Sequence, residues 1–124
     1  MGMWGSGIFD DDLALDVKGT FESAVKAGEV ASDVARDLMR TDLAREILEE
    51  FAEDERDDAF WEESGGLFFA VATLQLEHGV LKADVKRQTL LAIEAWNTLA
   101  AGDDERLEAL AELRAKLEAQ SPAG

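Results

Sequence analysis

Leu67-Phe68-Phe69-Ala70-Val71-Ala72-Thr73-Leu74-Gln75-Leu76-Glu77-His78-Gly79 is the stretch whose reading decides the fold of this chain. Residues 67–78 are apolar on nearly all sides, the pattern of a helix buried all round rather than of a surface helix with one apolar stripe. A buried strand competes with that assignment, because short apolar runs are ambiguous. The run, however, is about three helical turns long and closes on His78-Gly79, a basic residue in the last turn followed by a glycine stop. The chain is therefore organised around a central buried helix.

Working outward, Ser64-Gly65-Gly66 reads as a break in the chain and Ala59-Phe60-Trp61 as a return of hydrophobic character before it. Downstream, Asp84 is placed to cap a helix whose Val85, Thr89, Ala92, Ile93 and Trp96 share a face. Asp103 or Asp104 caps a last helix, in which Leu107, Leu110, Leu113 and Leu117 repeat at close to coiled-coil spacing. Upstream, one of residues 10–12 caps a first helix with Ala14, Val17, Phe21, Ala24 and Val25 on one face, stopped by Gly28. A second helix is predicted over residues 29–40, with Val30, Val34 and Leu38 on one face and Ala31 and Ala35 beside them. Thr41-Asp42 offers a fresh cap, so Leu43, Ala44, Ile47, Leu48 and Phe51 belong to a separate helix or to a continuation after a kink; separate helices are the preferred reading. The only proline, Pro122, interrupts nothing. The predicted fold is all-α: a compact single-domain bundle of five or six helices over residues 1–120, with residues 121–124 a disordered tail.

The first residues carry a different signal. Trp4-Gly5-Ser6-Gly7-Ile8-Phe9 runs into Asp10-Asp11-Asp12 and then Leu13-Ala14-Leu15-Asp16. Two aromatics spaced by glycines predict an extended arm, residues 1–10, whose backbone approaches the body closely while Trp4 and Phe9 are buried. The pattern carried by Trp4, Gly5, Gly7, Phe9, Asp12, Ala14 and Asp16 resembles the opening of the domain-of-unknown-function 4259 family of small bacterial proteins. Residues 67–81 followed by Asp84-Val85-Lys86 are loosely similar to a helix-Gly-x-Leu-helix segment of the same family. The resemblance implies no biochemical activity.

Charge restricts the function. The chain has 124 residues, with 12 Lys and Arg against 28 Asp and Glu, a net charge of -16. Long-range repulsion of polyanions disfavours direct binding to nucleic acid or to an anionic membrane, whereas a basic protein is attracted. Acidity for solubility alone is the plainer explanation. With no cysteine and a single histidine, His78, thiol chemistry and most zinc sites are excluded. No secretory signal is recognised at the start, and no apolar run reaches the length of a membrane span. A soluble cytoplasmic protein is expected.

The constellations that could carry chemistry are few. Asp12 and Asp16 are four apart and share a helix face, so they could hold a hard divalent cation; capping and acceptance of hydrogen bonds from the arm compete with that role. Glu46-x-x-Glu49 and Glu50-x-x-Glu53 match half of the carboxylate pattern of the all-α nucleotide pyrophosphohydrolases. No E-x-x-D pair follows in a suitable helix, and the downstream Glu105-x-x-Glu108 lies on the leucine-rich one. His78 lacks a positioned carboxylate and nucleophile, which leaves it a helix-capping role. Gly5-Ser6-Gly7 has neither the preceding strand nor the following lysine of a phosphate loop. The expected functional surface is the acidic stretch of residues 49–63, where Glu53, Asp54, Asp57 and Asp58 flank Trp61. If Trp61 is exposed there, an aromatic framed by carboxylates forms a hot spot for a basic partner; folded into the core, it leaves only a solvated loop. The expected function is an interaction module such as an immunity or antitoxin protein, with no cofactor and no catalytic residue assigned. The alternative is a carboxylate-based, divalent-metal-dependent hydrolase of all-α type.

Overall fold

A computed structural model describes residues 12–50, 57–99 and 101–120. All regular structure among these residues is helical: α1 (Asp12–Lys26), α2 (Ala31–Arg36), a 3-10 turn (Leu38–Arg40), α3 (Asp42–Glu50), α4 (Asp58–Glu77), α5 (Ala83–Leu99) and α6 (Asp104–Ala119). The predicted arm with Trp4, Gly5, Gly7 and Phe9, the acids Glu53 and Asp54, and the tail 121–124 lie outside the described residues.

The helix ends follow local chemistry. After α1, the N–H of Gly28 donates to the carbonyl of Val25 and that of Glu29 to Ala24, and Gly28 has φ +101°. After α4, Gly79 donates to Leu76 and Val80 to Gln75, with Gly79 at φ +68°. Both are the paired closures that need a left-handed residue one step past the helix, which glycine adopts without Cβ strain. Three helices start on side-chain caps. The Thr41 hydroxyl accepts from Ala44 N–H at 3.3 Å while donating to the Leu38 carbonyl at 2.8 Å; Asp57 accepts from Phe60 N–H at 3.0 Å; Asp103 accepts from Arg106 N–H at 3.1 Å. Thr41 thus separates α3 from what precedes it, as predicted.

The second predicted helix is shorter than its pattern. It covers Ala31–Arg36, and Asp37 (φ -98°, ψ 11°) leads into the 3-10 turn. Val30 is the extended residue before α2 and is 60% exposed, so it does not join Ala35 and Leu38 in the core. Asp84 also differs from expectation. It lies inside the first turn of α5, where its carboxylate accepts from Arg87 and from the buried Gln88, both at 2.7 Å, rather than capping the helix.

The larger correction concerns Ser64-Gly65-Gly66. These residues do not break the chain: α4 runs through them for 20 residues, roughly 30 Å, and all three are buried. A Cβ on Gly65 would lie inside the contact radius of Trp96 Nε1 and 2.9 Å from Trp96 Cδ1. Glycine is there because the α5 indole occupies its side-chain space. Trp96 Nε1 then donates to the Trp61 carbonyl at 2.7 Å. The same antiparallel register repeats every seven residues. Thr89 Oγ1 donates to the Phe68 carbonyl at 3.3 Å, and the Lys82 N–H donates to Gln75 Oε1 at 3.0 Å. Three hydrogen bonds two helical turns apart therefore zip α5 onto α4, and the carbonyls of Trp61 and Phe68 are reached from outside their own helix.

Around this seam α1 packs on α4, and α6 packs on both α4 and α5. Phe68, Phe69, Leu67, Val71 and Leu74 of α4 are fully or almost fully buried, with Ala14 and Val17 of α1, Val85, Ala92 and Ile93 of α5, and Leu110, Leu113 and Leu117 of α6. On α6 the buried face starts from Arg106 rather than from Leu107: the guanidinium carbon lies 5.0 Å from the Trp96 ring centroid and 5.8 Å from that of Phe69. Stacking on two aromatics lets the stem and planar head of an arginine enter an apolar boundary.

Candidate functional site

The acidic surface is assembled by α3 and the start of α4. Residues 42–63 contain eleven carboxylates against Arg45 and Arg56, a net of -9, more than half of the charge of the whole chain. On α3, Ala44 is buried and Ile47 and Leu48 are half-buried, which turns Glu46 and Glu49 outward. On α4, the buried Phe60 and Trp61 turn Asp58 and Glu62 outward in the same way. The amphipathic period alone fixes which acids reach solvent.

Of the residues predicted to bind a partner, Asp57 is exposed but already engaged as the α4 cap, and Asp58 is exposed on the first turn. Trp61 is not presented to solvent. It is buried, edge-on to Phe60 at 5.1 Å and tilted against Phe68 at 5.6 Å, and its carbonyl receives the Trp96 N–H. The exposure on which an aromatic hot spot at Trp61 depended is therefore not found, because its ring packs into the core. Glu46, Glu49 and Glu62 are exposed in this region as well; Glu49 and Glu62 belong to the expected acidic stretch, whereas Glu46 was read above only against a hydrolase pattern.

Asp16 is exposed on α1, and Asp12 is the first residue of that helix. Among the described residues no three His, Asp or Glu side chains converge in a way that could hold a metal ion. Glu105 and Glu108 are exposed on α6. His78 is the C-terminal cap residue of α4 as predicted, half-buried with its ring 5.2 Å from that of Phe21 on α1.

The charge balance of the α5 segment differs. Residues 82–99 hold Lys82, Lys86 and Arg87 against Asp84 and Glu94, a net of +1. Arg87 pairs with Asp84 at 2.7 Å, and Lys86 Nζ donates to the Gln120 carbonyl at 3.1 Å. At the end of α2, the hydrogen bond from Arg36 holds the Asp37 carboxyl below its usual range, and the same bond raises the Arg36 guanidinium. No helix among the described residues is long and apolar enough to cross a membrane. No family model matches the chain, so the resemblance of its opening residues to the domain-of-unknown-function 4259 family has no support beyond those residues, and no curated protein or solved structure matches it either.

Proposed function

We infer that the chain is a compact helical bundle with an N-terminal arm, and that it acts as an acidic protein-interaction module, of the kind that immunity and antitoxin proteins represent, engaging a basic partner. The observation that carries this reading is the exposed acidic surface of α3 and the α4 start, with Glu46, Glu49, Asp58 and Glu62 outward and the neighbouring aromatics turned in. Such a surface draws a cationic protein by long-range attraction and supplies little apolar anchoring. Partner binding is then fast and strongly salt-dependent, as in electrostatically steered association.

The test is a pull-down with the intact chain from its native host, followed by binding kinetics with the partner so identified. Replacing Glu46, Glu49, Asp58 and Glu62 with their amides, together with Glu53 and Asp54, should lower the association rate by about tenfold or more and flatten its salt dependence. Asp57 is left intact, since it caps α4. Unchanged association in that variant overturns the assignment of the surface, and a partner that is itself acidic overturns the function.

A further inference from the structure

We propose that residues 31–50, comprising α2, the 3-10 turn and α3, form an arm that opens as one unit while α1, α4, α5 and α6 stay packed, and that the side chain of Gln75 is its latch. Gln75 lies in the last turn of the most apolar helix, α4, and is fully buried. Its Nε2 donates to the carbonyls of Ala35 at 3.1 Å and Arg36 at 3.3 Å, and its Oε1 accepts from Lys82 N–H at 3.0 Å. One amide thereby meets the last turn of α2, where intrahelical acceptors lose their partners, and the entry to α5. A buried amide in that setting is retained only if its polar atoms are satisfied, which here requires the arm to be closed.

The rest of the arm is held weakly. Among its described side chains the buried apolar ones are Ala35, Leu38 and Ala44, two of them a single methyl group, with Ala31, Val34, Met39, Ile47 and Leu48 only partly covered. By contrast, α4 alone buries Leu67, Phe68, Phe69, Val71 and Leu74. Burial scales with apolar area, so the free energy holding the arm is a small part of that holding the body. Neither α2, with six residues and no side-chain cap, nor α3, with nine, is long enough to be helical alone. Among the described elements α3 packs chiefly on the preceding turn. Low apolar coverage and short helices are the features of segments that open below the global unfolding free energy. If the proposed function holds, the latch also sets where Glu46 and Glu49 stand relative to Asp58 and Glu62, but the opening itself does not depend on that function.

Native-state hydrogen exchange on the full chain, followed by NMR at increasing sub-denaturing urea, tests this directly. Amides of residues 31–50 should share a smaller opening free energy and a smaller urea dependence than amides of residues 67–76 and 85–96. Ile93→Val, at a buried α5 site that stays packed when the arm opens, should speed exchange of residues 67–76 and 85–96 by about 2- to 10-fold, the cost of one buried methyl group, and leave residues 31–50 unchanged. Gln75→Leu removes the Nε2 bonds, which exist only in the closed state, together with the Lys82 bond, which survives opening, and should accelerate both sets, the residues of the body at least as much as residues 31–50. Acceleration of residues 31–50 by Ile93→Val to the same degree as the body would show one cooperative unit and overturn the proposal. So would a wild-type arm as well protected as α4. Should Gln75→Leu fail to fold, those two measurements still decide.

Discussion

Gly65→Ala puts the seam between α4 and α5 under direct test. In an ordinary helix interior this change is stabilising by about 1 kcal/mol, since alanine loses less backbone entropy. At this site the new methyl group meets Trp96 Nε1 and Cδ1, and lies 3.4 Å from Phe69 Cε2, so the indole must move. Overpacking of that kind costs about 1–3 kcal/mol. Displacing the indole also breaks the 2.7 Å bond to the Trp61 carbonyl, and an unpaired, partly buried N–H costs about 1–3 kcal/mol more. After the helix gain is set against these, the expected net loss is about 1–5 kcal/mol. Urea unfolding followed by far-UV circular dichroism measures it, with an unchanged urea slope showing that the native state stays intact. The same substitution in a Trp96→Ala background should change sign and stabilise by up to about 1 kcal/mol, because only the helix term remains. A Gly65→Ala protein as stable as the parent, or an equal loss in both backgrounds, refutes the account of why glycine occupies this position.

Gly19, in the exposed part of α1 with nothing near its would-be Cβ, gives the opposite expectation: Gly19→Ala should stabilise by about 0.5–1 kcal/mol in the same urea titration. Asp57→Ala and Asp103→Ala each remove a cap and should cost about 0.5–2 kcal/mol, with Asp→Asn at either site keeping most of it. The Asp37 carboxyl is held below its usual range by Arg36, so its contribution is complete above the ordinary carboxylate range and is lost as pH falls through its folded value. Asp37→Asn should therefore show a small deficit at neutral pH that vanishes in strong acid, and a deficit that grows on acidification would contradict the pairing; both groups are exposed, so the effect is modest. With a net charge of -16, thermal stability should rise as salt is raised from low ionic strength to about 0.15 M, where charges about 8 Å apart are already screened.

Local chemistry alone determined much of this protein. The left-handed stops at Gly28 and Gly79, the caps at Thr41 and Asp103, and the buried faces of α1 and α5 are all written within a few residues of where they act, so a reader of the sequence can find them. Charge is equally local, and the acidic surface comes from one continuous stretch of chain. Tertiary structure decided the rest. Gly65 reads as a helix breaker because its neighbours in sequence give no sign of Trp96, thirty-one residues away, whose indole is the reason for it. Trp61 reads as a possible surface anchor until Phe60 and Phe68 enclose it. Gln75 looks like a polar intrusion in an apolar run until the carbonyls of Ala35 and Arg36 and the N–H of Lys82 converge on it. For Gly65 and Gln75 the deciding atoms include those of a helix distant in sequence, and for Trp61 they come from how its own helix is buried. Periodicity tells which side of a helix faces inward, but not which partner will be waiting there, and the partner is what gives a glycine, an indole or a buried amide its role.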